Sequence, residues 1–402
     1  MYEVMDKKLT VGVFFGSRSP EHDISIVTGQ LIISGLRGLG LRVLPIYLDK
    51  KGEWMIGEPL GSLKVFTADK PAFLDPVLGH YELDLKASRG RLVFLRKGFW
   101  HKRKIVDVAF PAFHGSFGED GTIQGLFEIF GVPYVGCDVP SSAVTIDKIR
   151  TKQFFNALSI PTTKFAAFDY AEWQKERRKV LEQIQSDFKF PVFIKPSRLG
   201  SSIAVTKAKN QGELEDAIEL ALHYDDRFLA EEAVENLKDV TCAVLGGDEP
   251  VASVLQESSF DRDLLTYDDK YLRGGGAQLG KGASVVIPAD LPPAISEELR
   301  ALSVRIFKAF GCWGISRMDF LYDQKSKKYF ANEINTLPGT LYHHLWKKSG
   351  VEFPELLTRL LDLALERARS RERVARVFSS DLLKFAGSQK LRASKGGENE
   401  AI

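Results

Sequence analysis

The chain is poor in cysteine. Its three cysteines, Cys137, Cys242 and Cys312, stand far apart and form no metal-like pair. A reduced, cytoplasmic setting is expected. It also lacks a long apolar run: nothing approaches the roughly 18 continuous apolar residues of a membrane span, so no membrane insertion is expected. It lacks charge of one sign, with a formal net charge of +2, so no electrostatic case for nucleic acid exists. It lacks the GxxxxGK[ST] phosphate loop, and no internal repeat is found. The start, MYEVMDKKLTVGVFFG, has a short apolar run without a small-residue cleavage pattern, and reads as a first strand rather than a signal peptide. What remains is an ordinary globular composition, 44% hydrophobic and 27% charged over 402 residues, long enough for two or three domains.

One stretch concentrates chemistry. Residues 311–340 hold two extended runs around a polar connection, Asp323 to Lys328. Side chains alternate faces along a strand. Arg317 and Asp319 therefore share one face, and Met318 and Phe320 take the core face. In the second run Glu333 and Asn335 share a face, while Phe330 and Ile334 take the other. Paired as a hairpin, the runs bring two carboxylates, an amide and a guanidinium together. Carboxylate and amide oxygens suit a hard cation such as Mg2+, and an arginine beside it suits a phosphoryl group or oxyanion. A solvated hairpin with surface charges is the plainer alternative. Four such residues on strand faces, followed at once by TLPG, argue against it.

The rest of the chain reads as α/β. Leu9–Phe15 is a strand ending in Gly16, a helix begins around His22–Ser25, and LRVLPIYLD is a second strand. Strand, glycine turn and helix suggest a nucleotide-fold-like layer. The turn carries Glu21, His22 and Ser25 either as ligand groups or as helix caps. Residues 51–104 read as a peripheral, basic hairpin region. Ile105–Pro111 is an apolar strand leading to His114 and a glycine-rich loop with Glu119 and Asp120, before a helix over 123–130. A connection and a helix follow to Pro161, with Lys148 unremarkable alone. In FPVFIKPSRLGSS a β-rich run delivers Lys195 to a Gly/Ser loop whose backbone N–H groups suit phosphates. A lysine inside an apolar strand must find a partner or shift its pKa. Residues 212–223 form a helix, and Glu231, Glu232 and Asp239 lie in a strand–linker–strand run, as nucleotide acceptors or as a solvated acidic linker. The glycine-rich stretch from Ser258 reads as a lid carrying Lys270 and Tyr271. A helix over 294–310 precedes the central hairpin, a helix closes the fold, and the tail after Ala386 reads as disordered.

Taken together, FGSRSPEHDIS, HGSFGEDGTIQG, DKIRTK, KPSRLGSS, YDDKY, SRMDF and NEINTLPG resemble, in order, the motifs of the D-alanine–D-alanine ligases of the ATP-grasp superfamily. The resemblance runs from about Leu9 to about Leu360. It implies an ATP-grasp fold of three α/β domains with a Rossmann-like first domain. The expected divisions are 1–137 for the first-substrate domain, 138–235 for the central subdomain, 236–370 for the C-terminal subdomain with lid and metal site, and 371–402 for a helical end and polar tail. The implied reaction joins two D-alanines at the expense of ATP, through an acyl phosphate, for peptidoglycan precursor synthesis. By motif position, Asp319, Glu333 and Asn335 match the ligands of two Mg2+ ions, with Mn2+ as an alternative. Arg317 matches the arginine that steadies the acyl phosphate. Lys148, Lys195 and lid residue Lys270 match lysines on the ATP phosphates, with the Ser202 backbone beside them. Glu232 and Asp239 match adenine and ribose contacts. Glu21 matches the carboxylate for the first substrate's ammonium, and Ser201 and Tyr271 its hydrogen-bond partners. His114 matches the first amino-acid site, and Gly339, His344 and Leu345 the second. A cytoplasmic homodimer is implied as well. Two departures stand out: ENLKDV at the ribose position, and TLYHHLWKKSG where the family commonly has MTxxSLxP, so that His344 replaces a serine. The alternative this raises is the same chemistry with another amino or hydroxy acid as second substrate. Tyr271 favours an amine acceptor.

Overall fold

The computed structural model describes residues 8–67, 81–96, 102–260 and 283–380. The lid residues Lys270 and Tyr271 and the tail after Ala386 lie outside this set. The chain opens with β1 (Thr10–Gly16), α1 (His22–Gly38), β2 (Arg42–Leu48), β3 (Trp54–Ile56), α2 (Lys64–Thr67), β4 (Tyr81–Leu83), β5 (Leu92–Arg96), β6 (Arg103–Val106) and β7 (Val108–Pro111). Strand β1 lies between β2 and β7 and is parallel to both, the expected Rossmann-like layer. At its end Gly16 has φ +96°, and a Cβ there would lie 2.2 Å from the Leu48 carbonyl oxygen. Only glycine turns the chain there. The basic region is a small antiparallel sheet, β4-β5-β6, with β3 added to the edge of the first sheet. The single strand expected over Ile105–Pro111 is two, because Asp107 turns aside to accept the Thr10 N–H at 2.9 Å.

The middle of the chain forms α3 (Thr122–Phe130), α4 (Val139–Ile146), α5 (Lys148–Ala157), β8 (Phe165–Asp169), α6 (Tyr170–Asp187), β9 (Val192–Pro196), β10 (Thr206–Ala208), α7 (Gln211–Tyr224) and β11 (Arg227–Glu232). Where one helix was expected before Pro161 there are two, split by Asp147, whose carboxylate caps α5 at the Arg150 N–H. The antiparallel sheet β10-β9-β11-β8 packs on α6 and α7.

The last part contains β12 (Leu237–Gly246), β13 (Val251–Phe260), β14 (Ala283–Val286), α8 (Pro293–Ala309), β15 (Gly314–Asp323), β16 (Tyr329–Asn335), α9 (His343–Lys348) and α10 (Phe353–Glu372). Its five strands pair antiparallel in the order β14-β13-β12-β15-β16. The first and last parts share one apolar core: Ile32 and Leu36 of α1 cluster with Ile315, Trp346, Leu357 and Leu360. Gly35 makes the approach possible, since a Cβ there would meet the Leu357 side chain at 2.5 Å.

The alternation expected in the hairpin holds on β15, where Met318 and Phe320 are buried. On β16 it breaks. Asp319 pairs with Glu333 but Phe320 with Ala331, so Asn332 is an extra residue. Such a bulge flips every side chain beyond it. Ala331 joins Ile334 in the core, and Phe330 is left half-buried, contrary to its expected core position.

Candidate functional site

The hairpin places Arg317 opposite Asn335 and Asp319 opposite Glu333. The Arg317 guanidinium grips Asp319, with Nε donating to Oδ1 at 2.9 Å and Oδ2 at 3.0 Å and Nη2 to Oδ2 at 2.5 Å. It lies 3.5 Å from Glu333 and faces the Tyr342 ring, 5.0 Å from its centroid. Asn335 Nδ2 donates to Asp319 Oδ2 at 3.2 Å, and the Thr241 hydroxyl on neighbouring β12 donates to Asp319 Oδ1 at 3.0 Å. Burial pushes the Asp319 carboxyl up, Arg317 pulls it back, and the adjacent Glu333 raises it again. Burial works against the Arg317 charge, yet Asp319 and Tyr342 hold its pKa well above the ordinary value.

Two lysines approach from the middle part of the chain, Lys148 at the start of α5 and Lys195 on β9. The capped start of α5 is tied to the end of β9, with Lys148 N donating to the Ser197 carbonyl at 2.8 Å and the Ser197 hydroxyl to Asp147 at 2.6 Å. Lys148 Nζ then donates to the Leu199 carbonyl and lies 3.9 Å from Glu333. Lys195 on β9 pairs with Glu231 on β11 at 2.7 Å and reaches Asn332 at 3.4 Å. Hairpin, lysines and β11–β12 enclose one cleft of about 1030 Å³. Glu232 and Asp239 line its far end, and Glu232 accepts the Lys164 N–H at 2.6 Å.

At the near end Glu21, buried at the start of α1, accepts the Ser201 hydroxyl from the Gly/Ser loop, where Ser201 and Ser202 both have positive φ. His114 is buried beside them, bonded to Thr28 Oγ1 at 2.9 Å, and burial with the nearby Arg317 charge brings its pKa down to about 4. It is neutral near pH 7. The other two residues noted in the first turn are internal ties. His22 bonds the Ser17 carbonyl and Tyr47, and Ser25 joins Gly16 to Ala112.

Of the residues singled out from sequence, Glu21, His114, Lys148, Lys195, Ser201 and Ser202 line this cleft from one side. Glu232 on β11, Asp239 on β12, and Arg317, Asp319, Glu333, Asn335 and Gly339 line it as well. Leu345 is instead fully buried in the core, and His344 turns away to Gln256, Nε2 to Oε1 at 2.7 Å. Tyr342, two residues earlier, is the group that reaches the cleft, together with Gln256. Sequence reading passed over Tyr342, Thr241 and Asn332, and noted Glu119 as a loop residue without giving it a role. Glu119 sits in the HGSFGEDG loop, its Oε2 accepting the Gly115 N–H at 2.8 Å and its Oε1 the Leu337 N–H at 3.4 Å. Burial, then the nearby Glu21, pushes its carboxyl up to about 8.

Among the described residues no group of three or more His, Cys, Asp or Glu side chains is arranged to hold a metal. The donor set on the hairpin is two carboxylates and an amide. Glu333 raises the Asp319 carboxyl beside it, a close pair of carboxylates attracts a dication, and an all-oxygen set fits Mg2+ rather than a softer metal.

Two antiparallel sheets at a nucleotide-sized cleft, one with its neighbouring helix α5 giving lysines and the other a carboxylate hairpin, define an ATP-grasp enzyme. The family model described as D-ala D-ala ligase N-terminus matches residues 10–137, and that described as D-ala D-ala ligase C-terminus matches 154–362. The chain belongs to the D-alanine–D-alanine ligase family. It is 36% identical to a protein of Chloroherpeton thalassium named D-alanine–D-alanine ligase, over 92% of this chain and 99% of that one. A protein of the same name from Acetivibrio thermocellus is 37% identical over 90% of this chain and 97% of its own. Among solved structures, the D-alanine-D-alanine ligase of Coxiella burnetii matches with TM-score 0.73 and 27% identity, over 91% of this chain and 97% of that one. The VanG D-Ala:D-Ser ligase of Enterococcus faecalis matches with TM-score 0.75 and 30% identity, over 89% of this chain and 99% of that one.

Proposed function

We propose that this chain is an ATP-dependent, ADP-forming ligase that joins two D-alanines to D-alanyl-D-alanine for peptidoglycan precursors. The observation that carries the reading is the convergence of Arg317, Asp319, Glu333 and Asn335 with Lys148, Lys195 and Glu21 on one cleft. A carboxylate is a poor electrophile, and phosphorylation gives it a leaving group. A carboxylate oxygen of the first D-alanine attacks the γ-phosphorus of ATP, and ADP leaves. The amine of the second D-alanine then attacks the acyl carbon, loses a proton, and phosphate departs.

Each residue has a place in that sequence. Glu21, held by Ser201, receives the first ammonium, and His114 lines the same pocket. Lys148 and Lys195 neutralise phosphate oxygens, with the Ser202 N–H beside them. Glu232 and Asp239 face adenine and ribose. Arg317 holds charge on the transferring phosphoryl and on the tetrahedral oxyanion. Gly339 contributes backbone to the second amino-acid site, next to Tyr342. Asp319, Glu333 and Asn335 would hold two Mg2+ ions, which neutralise charge on the phosphates when bound. Lys270 and Tyr271 lie outside the described residues, and the resemblance alone supports giving them the water-excluding contacts over the acyl phosphate. The divisions at 137, 235 and 370 are proposed on the family resemblance. Among the described residues no helix is long and apolar enough to cross a membrane. A cytoplasmic homodimer is proposed on the family resemblance.

The test is product identification. Purified protein with ATP, Mg2+ and D-alanine, D-serine or D-lactate in parallel should give mainly the D-alanine dipeptide by mass. Absence of any ligated product overturns the reading. A dominant product from another acceptor replaces the second substrate only.

A further inference from the structure

Lys152 sits where a lysine is costly. Its side chain is only 1% exposed, one helical turn beyond Lys148 on the same face of α5, and it does not line the cleft. All three ammonium protons have partners: Thr162 Oγ1 at 3.0 Å, Thr163 Oγ1 at 2.7 Å and Glu231 Oε1 at 3.0 Å. The Thr163 hydroxyl in turn donates to the same Glu231 oxygen. Glu231, equally buried, gives its other oxygen to Lys195 at 2.7 Å. The carboxylate is thus divided, one oxygen for the buried lysine and one for the lysine that lines the cleft. Burial pushes the Glu231 carboxyl up, and Lys152 and Lys195 together bring it down to about 2, so the carboxylate is ionised near neutral pH.

The division has a mechanical consequence. Glu231 pairs across the sheet with Phe193, so it reaches Lys195 along the diagonal of β9 and β11. A diagonal contact needs the carboxylate turned one way. Lys152 and Thr163 turn it by fixing Oε1 from behind. The Thr162 hydroxyl donates at 2.9 Å to the carbonyl of Ala331, next to the Asn332 amide that also touches Lys195. One buried cluster thereby orients both groups that hold the Lys195 ammonium.

We propose that Lys152 is a positioning residue for nucleotide binding: from outside the cleft it fixes Glu231, and through Glu231 the direction of Lys195. This rests on the reading above that Lys195 meets ATP phosphates. Without Lys152, the buried carboxylate would keep Lys195 as its one counter-charge and draw it away from the cleft.

The experiment compares Lys152→Met, Thr163→Val and Lys195→Ala in the full-length protein, measuring ADP affinity by calorimetry and both Michaelis constants. Lys152→Met is expected to weaken ADP binding and raise KM for ATP about tenfold, the loss of one charge-assisted hydrogen bond. KM for D-alanine should move less than about twofold, since Glu21 and His114 lie on other elements. Thr163→Val, the milder change, should shift ADP affinity about threefold in the same direction, and it serves if Lys152→Met does not fold. A purely structural lysine would lower the melting temperature and leave ADP affinity of the folded protein unchanged, which overturns the inference. If Lys195→Ala itself leaves ADP affinity intact, the reading beneath fails. If Lys195→Ala weakens binding and neither of the other variants does, only the inference fails.

Discussion

Replacing Arg317 by lysine keeps the charge and removes the fork. The guanidinium makes three contacts of 3.0 Å or less to Asp319, reaches Glu333 at 3.5 Å, and lies flat enough on Tyr342 to sit 5.0 Å from its ring centroid. A lysine ammonium is a point donor. It can replace one of those bonds but not the two-point grip or the stacking. Asp319 then keeps a counter-charge but loses the two-point grip, and the cleft loses the fork aimed at developing negative charge. Removing one such preorganised donor costs about 3–4 kcal/mol at the transition state, or about 10²–10³ in kcat. The ATP site proper, around Lys195 and Glu232, is untouched, so KM for ATP should change by less than about threefold. Steady-state kinetics by coupled ADP release, at saturating D-alanine, reads both numbers. A kcat within threefold of the parent protein would refute the role given to Arg317. A large rise in KM for ATP with kcat unchanged would move Arg317 from the reacting phosphoryl to simple nucleotide binding.

Thr241→Val removes the hydroxyl that donates to Asp319 Oδ1 at 3.0 Å and keeps the shape of the side chain. It should weaken activation by Mg2+ about three- to tenfold, read as the Mg2+ concentration giving half-maximal rate. Glu119 makes stability pH-dependent. Its carboxyl is raised from 4.5 to about 8, so the folded state binds its proton more tightly than the unfolded state. The stability this contributes is full below pH 4.5 and is lost as pH rises through about 8. Thermal melts should therefore show Glu119→Gln losing less stability than the parent between pH 5 and 9, by about 1–3 kcal/mol. Equal slopes would contradict it.

The central hairpin was legible because strand alternation is a local rule. Arg317, Asp319, Glu333 and Asn335 share a face on parity alone, and Met318 and Phe320 are buried as expected. Phe330 was misplaced because nothing local marks Asn332 as an extra residue; the bulge is set by pairing with β15. Strand β8 and helix α6 went unread, although Asp169 and Glu172 form a capping box and Trp173, Val180, Leu181 and Ile184 make a buried helical stripe. That helix is otherwise so polar that four buried residues in eighteen carry the whole signal. Lys148 became a candidate through the family resemblance, since alone it reads as an ordinary surface charge, and the resemblance also decided between the ligand and the plainer readings of Glu21 and Glu232. His344 stands where the motif placed a substrate contact, yet it bonds Gln256, and Tyr342 faces the cleft. Tyr342 follows a turn in which Thr340 and Leu341 have positive φ, a backbone shape that the letters do not announce.

The claim on which the account turns is that a carboxylate oxygen becomes a phosphate oxygen in this cleft. D-alanine labelled with 18O in its carboxylate, incubated with ATP, Mg2+ and the protein, tests it directly by mass analysis of the released phosphate. The account predicts one 18O atom in each phosphate for each dipeptide formed. Dipeptide formed with unlabelled phosphate would contradict the acyl-phosphate route and the roles built upon it.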